Sequence, residues 1–393
     1  MNNQRRFRPI TAALILLAAI IGSFAWQMRG VKAAAEQHST AAANLPALQG
    51  KAAVKHLKQQ GLYASLRTAL SETLTTNFTQ LTEITAFDGE EQDIFGYPVA
   101  LNGDTVAIGA WHDDAPVHDQ GAVYVFVRSG NSYAFQRKLT ASDGADGDNF
   151  GYTVAICNGM LVVGAPSKNS SHGAAYVFVR SGTNWSQQQK LVDGALIASD
   201  SFGHAVTINS NGDTIAVGAV YDGIGSNQSQ GSVYVFTRSG AVWSQQQKLT
   251  AADGTAYSRF GGAVALSGNT LLVGAYGSQV STGAAYVFTR SGATWSQQQE
   301  LTSGQALSYF GQSVALDGNT AVIGAPYENN SQGAAYVFVR SGSSWSQQQR
   351  LTVADASAQA NFGSDVAIYG ETAVISASAD SIGNQSLRGS AYV

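Results

Sequence analysis

Between Trp111 and Asp119 the chain reads Trp-His-Asp-Asp and then, after three residues, His118-Asp119: two imidazoles and three carboxylates within nine residues. Such a set supplies ligands for a divalent metal or the partners of acid–base chemistry. No other stretch of the chain matches it. Loop ligands at this spacing have no fixed geometry, so a solvated polar loop is the simpler reading and metal binding stays open. Tyr221-Asp222, Tyr276 and Tyr327-Glu328 stand at the starts of loops that correspond to this one. Together with Trp111 these side chains would ring one face, offering stacking surface to a glycan or anchors to a protein. The expected ligand-binding set is therefore Trp111, His112, Asp113, Tyr221, Asp222, Tyr276, Tyr327 and Glu328. Further acidic residues, Asp88, Glu90, Glu91 and Asp93 in one copy and Asp143, Asp146 and Asp148 in another, read as turn formers.

The elements that position these residues follow from a repeat. A Phe-Gly pair recurs at Phe95, Phe150, Phe202, Phe260, Phe310 and Phe362, at intervals of 55, 52, 58, 50 and 52 residues. Each pair opens a short alternating run. A turn such as Asn102-Gly103 or Asp317-Gly318 follows, then a second apolar run that ends in Gly-Ala in five copies. A loop of variable length leads to a third run at Tyr124, Tyr176, Tyr234, Tyr286 and Tyr336. An Arg-Ser-Gly turn then leads to a fourth run, opening on Trp185, Trp243, Trp295 or Trp345 and on Tyr133 in the first copy. Four runs of period-two alternation with glycine-bearing turns predict an antiparallel four-stranded meander. One such sheet cannot bury both of its faces, so the copies must stack as the blades of a β-propeller, an all-β fold. The repeated Tyr, Phe and Trp would fill the space between blades, and the glycines mark close backbone approach or positive φ. The loops after the second run and the connections between copies then share one face, where binding residues tend to collect.

The six Phe-Gly pairs, with Gly164-Ala165-Pro166 and Gly324-Ala325-Pro326, resemble the FG-GAP repeats of the β-propeller at the amino end of integrin α subunits. The resemblance covers residues 78–393 and implies a propeller with one ligand-binding face. Integrin-type blades often carry a calcium loop in the first hairpin. Here that hairpin is reduced to turns such as Asn102-Gly103-Asp104, with too few oxygen ligands to wrap the ion, so calcium is not expected. Integrin-like propellers have seven blades, whereas six repeats are visible. Phe78–Ala86 aligns with a fourth strand and the chain reaches Val393 inside a third. The amino-terminal strand would thus complete the sixth blade and close a six-bladed ring; a seven-bladed ring with a truncated carboxyl end is the alternative.

Upstream, Arg5, Arg6 and Arg8 precede an apolar run from Ile10 to Trp26 and then Ala33-Ala34-Ala35. These are the parts of an export signal, cleaved after Ala35 or kept as a membrane anchor, over residues 1–35. Residues 36–77 read as a linker with short amphipathic helices, from the helical spacing of Val54, Leu57, Leu62, Leu66 and Leu70. Charged residues are only 12% of the chain, the net charge is −4 and basic residues occur singly, so nucleic acid is not an expected partner. The one cysteine, Cys157, excludes an intrachain disulfide framework. No nucleophile elbow, metalloprotease helix or phosphate loop is present, and His172 and His204 stand in separate repeats without an evident nucleophile. The expected protein is an exported or cell-surface binding or adhesion module without a cofactor, acting on an extracellular protein or glycan. A hydrolase or lyase acting on extracellular polymer at the same face, and a purely structural surface component, are the alternatives.

Overall fold

In the computed structural model, residues 82–393 are described except 115–116, 194–198, 354–358 and 382–386, with the side chains at 279 and 280 also omitted. The expected export signal and the expected helices of residues 36–77 lie outside the described residues. The propeller belongs to the unit Leu81–Val393.

Six antiparallel sheets follow one another along this unit, spanning residues 99–139, 153–191, 202–249, 260–301, 314–351 and 362–392. They are taken here as blades 1 to 6 of the propeller. Blades 1 to 5 have four strands in sequential order. The described part of blade 6 has three, Phe362–Tyr369, Thr372–Ala377 and Ser390–Tyr392. Hairpin register is set by the predicted turns: Asn102 pairs with Thr105 across Gly103, and Ser181 pairs with Asn184 across Gly182. The period-two pattern points alternate side chains at opposite neighbours. Tyr124 and Phe126 of the third strand of blade 1 belong to one apolar cluster, while Val123 and Val125 belong to the cluster shared with blade 2.

Each seam therefore sets large side chains against small ones. Blade 2 presents Phe150, Tyr176, Phe178 and Trp185 to Ala107, Val123, Val125 and Leu139 of blade 1. The Phe of the Phe-Gly pair meets the third-strand Tyr edge-on, with ring centroids 5.5 Å apart in blade 2 and 5.4 Å in blades 3 and 5. Complete burial of such a ring contributes roughly 1.5–3 kcal/mol. Polar pairs join the outer strands. The Trp243 indole donates to Gln188 at 3.1 Å, and its backbone exchanges hydrogen bonds with Gln189.

Both predicted roles of glycine occur, at different positions. The glycine of the Phe-Gly pair has positive φ, as at Gly203 (φ 92). The glycine of Gly-Ala is a contact point: a Cβ on Gly218 would lie 2.0 Å from the carbonyl oxygen of Gly261 in the next blade. Cys157 is buried with its thiol 3.3 Å from the Ser210 carbonyl, and burial pushes its pKa up, which suits a packed side chain better than a reactive one.

Only residues 82–86 of the expected ring-closing strand are described. Residues 82–86 belong to no strand. Ile84 and Ala86 instead pack on the apolar cluster of blade 1, and Phe78 to Leu81 lie outside the described residues. The final blade consequently differs from the others along its outer edge.

Gly218→Ala should cost at least about 2 kcal/mol, because backbone and not a flexible side chain occupies the Cβ position. Gly240→Ala, at φ 62 in an open Arg-Ser-Gly turn with nothing within 4 Å, should cost only about 1 kcal/mol. Denaturant unfolding of the two variants compares the contact with the φ requirement. Equal losses would show that the seam relaxes around a methyl group.

Candidate functional site

The loops that follow the second strands are held from below by a recurring polar cluster. The third-strand tyrosine hydroxyl meets a carboxylate in blade after blade. Tyr124 Oη lies 2.6 Å from Asp113 and 2.7 Å from Asp88, Tyr234 lies 3.1 Å from Asp222, and Tyr336 lies 2.6 Å from Glu328. A fourth-strand cation completes each cluster: Lys138 is 2.9 Å from Asp113, Lys248 is 2.7 Å from Asp222 and Arg350 Nε is 2.8 Å from Glu328. Tyr176, Asp143 and Lys190 form the same arrangement in blade 2, with the carboxylate taken from the blade connection. Burial and the neighbouring Glu328 carboxylate push the Tyr336 pKa up to about 12, so the hydroxyl remains a proton donor. Burial works against ionised Asp143, but hydrogen bonds from Lys190 and Tyr176 outweigh it and hold the carboxyl below its usual range.

Three members of the expected ligand-binding set lie in these clusters. Asp113, Asp222 and Glu328 are only 2, 4 and 4% exposed, and their oxygens are engaged within the cluster. They anchor loop to sheet and present no free carboxylate to solvent. The sequence offered no way to tell an anchoring Asp from an exposed one, since the partner tyrosine is about ten residues away on another strand.

Trp111, Tyr221, Tyr276 and Tyr327 do share a face, and the structure inserts further residues between them. Trp111 packs on Tyr152 with centroids 5.5 Å apart, Tyr152 on His204 at 5.2 Å, and His204 on Tyr221 at 6.3 Å. The Arg259 guanidinium bridges Tyr221 and Tyr276, 5.9 and 5.2 Å from their ring centroids. Tyr276 stacks on Tyr309 with planes 19° apart, and Tyr309 meets Tyr327 at 4.7 Å. A continuous arc of eight side chains thus crosses blades 1 to 5. Tyr221 and Tyr327 are exposed and the other six are half-buried. Burial and the nearby Tyr97, Tyr221 and Tyr276 push the Tyr152 pKa up to about 12, as expected where tyrosines from several blades converge.

Tyr152 and His204 directly follow their Phe-Gly pairs, whereas Arg259 and Tyr309 directly precede theirs. The preceding position has left-handed backbone in every blade: Ile94, Asn149, Ser201, Arg259, Tyr309 and Asn361 have φ between 53 and 57. Asn tolerates this conformation; Arg and Tyr are strained in it by about 1 kcal/mol or more. Blades 4 and 5 carry that strain where the arc needs a cation and a ring. Side-chain variation at the two positions flanking an invariant Phe-Gly was the available sequence signal for all four residues.

His112 lies behind the arc, its ring 3.8 Å from Trp111 and its Nδ1 3.6 Å from Asp119. Farther out, one ligand atom each from Asp114, His118 and Asp119 fall within 4.8 Å of one another, close enough to hold a divalent cation. Asp119, with Asp146 and Asp114, raises the His118 pKa. His118 lies 3.2 Å from Asp146 of the blade connection.

The matching residues confirm the sequence pattern. The description FG-GAP repeat matches residues 78–126, 133–178, 185–236, 243–288, 295–338 and 345–393. The chain belongs to the FG-GAP repeat family. Five of the six matched repeats open at a fourth-strand aromatic, Tyr133 or one of the four tryptophans, so one repeat joins the outer strand of one blade to the inner strands of the next. No curated protein matches the chain in sequence. A chain in a crystal structure of the mitotic checkpoint complex is 14% identical with a TM-score of 0.46 over 71% of each chain, a likeness too loose to bear on function.

Two outcomes follow. Tyr336→Phe removes the donor to buried Glu328 and should cost about 1–3 kcal/mol in denaturant unfolding. Burial, together with the Arg259 charge, lowers the His204 pKa from 6.5 to about 4. The unfolded chain therefore takes up this proton below pH 6.5, while the folded chain does so only near 4. This contribution to stability is complete above pH 6.5 and is lost as pH falls toward 4. His204→Gln should flatten the dependence of Tm on pH in that window, and an unchanged slope would contradict the assignment.

Proposed function

We propose that this FG-GAP propeller is an exported binding module that engages a glycan through the arc from Trp111 to Tyr327. The continuous, solvent-accessible aromatic row carries the reading. Flat rings accept the C–H faces of successive sugar units, and the tyrosine hydroxyls and Arg259 supply hydrogen bonds at their edges. A protein ligand would be served better by a fully buried apolar patch with a polar rim than by half-exposed rings in single file. The rigid ring of blades holds the row in place, so little ordering entropy is spent on binding. Exposure of the face to extracellular ligands accords with the basic and apolar export features of residues 1–35.

A glycan array probed with the chain should give a defined set of positives. Tyr276→Ala and Tyr309→Ala should each weaken binding by about tenfold or more while leaving the fold intact. His118→Ala, outside the arc, should leave affinity unchanged when divalent metal is absent. No array signal, or equal binding by the two tyrosine variants, would exclude the arc as the site.

A further inference from the structure

Blade 4 breaks the pattern of the polar clusters beneath the loops. In four blades the residue registered directly across from the third-strand tyrosine is a cation: Lys138 faces Tyr124, Lys190 faces Tyr176, Lys248 faces Tyr234 and Arg350 faces Tyr336. In blade 4 the residue registered on Tyr286 is Glu300. The blade connection supplies a second acid, Asp253, which precedes Gly254 as Asp88 precedes Gly89 and Asp143 precedes Gly144. Burial, and after it the charges of Asp253 and Glu300, push the Tyr286 pKa up, so both carboxylates stand close to this hydroxyl. The cluster therefore gathers two acids at a place where its siblings set a Lys or Arg against theirs.

A second observation points the same way. The loop position occupied by Asp113, Asp222 and Glu328 in blades 1, 3 and 5 is Ser278 in blade 4. Ser278 is 3% exposed and lies beside Tyr286, and its hydroxyl oxygen is buried without a hydrogen-bond partner. A polar atom left in this way carries its desolvation cost until a donor reaches it. The sibling blades show that a donor can come from the solvent side. The Lys248 side chain is 35% exposed yet reaches buried Asp222 at 2.7 Å, and Arg350, 40% exposed, reaches buried Glu328. They also show what the place accommodates: an ammonium nitrogen 2.7–2.9 Å from a carboxylate and 5.0–5.8 Å from the centre of the tyrosine ring.

We propose that the blade 4 cluster binds the ammonium group of a ligand, and that this ligand is a glycan containing an amino sugar whose amine is not acetylated. A primary ammonium carries three N–H donors. Asp253, Glu300 and Ser278 Oγ are three acceptors for them, and the two carboxylates offset the charge. Asp253 is exposed and Glu300 half-buried, so the acids are within reach of a ligand. A calcium-type ion takes about six to eight oxygen ligands, and two carboxylates with two hydroxyls match it less well. The class of ligand rests on the reading of the arc as a glycan surface. Ser278 follows Tyr276 by two residues, which puts the cluster next to the stacked Tyr276 and Tyr309. A sugar ring seated on Tyr276 would bring its amine to the acids. An acetyl group would remove the charge and set a methyl against two carboxylates.

The probes are a tetrasaccharide of β-1,4-linked glucosamine and its fully N-acetylated counterpart, each titrated into the full chain by calorimetry at a pH that protonates the amines. The amine form should bind about tenfold or more tighter, and added salt should narrow the difference. Glu300→Lys gives blade 4 the cation of its siblings; it should leave Tm no lower and abolish the preference. Asp253→Asn, at an exposed position, should reduce the preference with the fold intact. Equal affinity for the two forms, or a preference that survives Glu300→Lys, would overturn the inference while the arc reading stands. If neither tetrasaccharide binds, the arc reading fails and glucosamine alone decides the site. A saturable rise in Tm that Glu300→Lys abolishes supports an ammonium site, and no rise overturns it. A rise given by calcium chloride and not by glucosamine would also overturn it, since the occupant would then be a metal ion.

Discussion

The structure depends on how closely one blade's backbone approaches the next. At Gly109, Gly164, Gly218, Gly274 and Gly324 the position of a Cβ is already taken by the carbonyl of the following blade's Phe-Gly glycine. With the sheets this close, Phe reaches Tyr edge-on and the outer-strand Trp comes within hydrogen-bond reach of Gln. A methyl group at the contact would separate all of these at once, because packed interiors do not absorb extra volume locally. Five identical seams make the array a quasi-one-dimensional solid in which each blade is stabilised mainly by its neighbours.

That rigidity determines how charged residues are used. In a chain with so few of them, Asp113, Asp222, Asp143 and Glu328 are engaged with tyrosine hydroxyls and with Lys or Arg. Without such partners the buried carboxylates Asp113, Asp222 and Glu328 would carry a large desolvation cost, and each has at least two. The loops are thereby pinned to the sheet, and the row of side chains from Trp111 to Tyr327 that remains accessible above them is mostly aromatic. The row from Trp111 to Tyr327 therefore has the character of a stacking surface, with Arg259 as its one cation.

The side chains that share this face were only half legible in the sequence. Trp111, Tyr221, Tyr276 and Tyr327 stood out because they open loops after a conserved-looking Gly-Ala, a position that topology alone puts on one side. Tyr152, His204, Arg259 and Tyr309 were hidden beside the Phe-Gly pairs, where a packing role was the natural reading. Whether they point inward or outward depends on the left-handed turn before the Phe, and no local pattern announces that turn when the residue is Arg or Tyr instead of Asn. The buried acids were misread for the complementary reason: Asp222 and Tyr234 lie on different segments, and only pairing of the strands brings them together.

The loop from Trp111 to Asp119 shows the division most clearly. Its composition marked a polar loop in advance, and the six Phe-Gly pairs marked the chain as a stack of FG-GAP repeats, since periodicity and turn chemistry are local properties. Folding then gave its members three separate tasks. Asp113 went under the loop to Tyr124, Trp111 joined the aromatic arc, and Asp114, His118 and Asp119 were left at the rim. Those assignments depend on distances between segments up to dozens of residues apart.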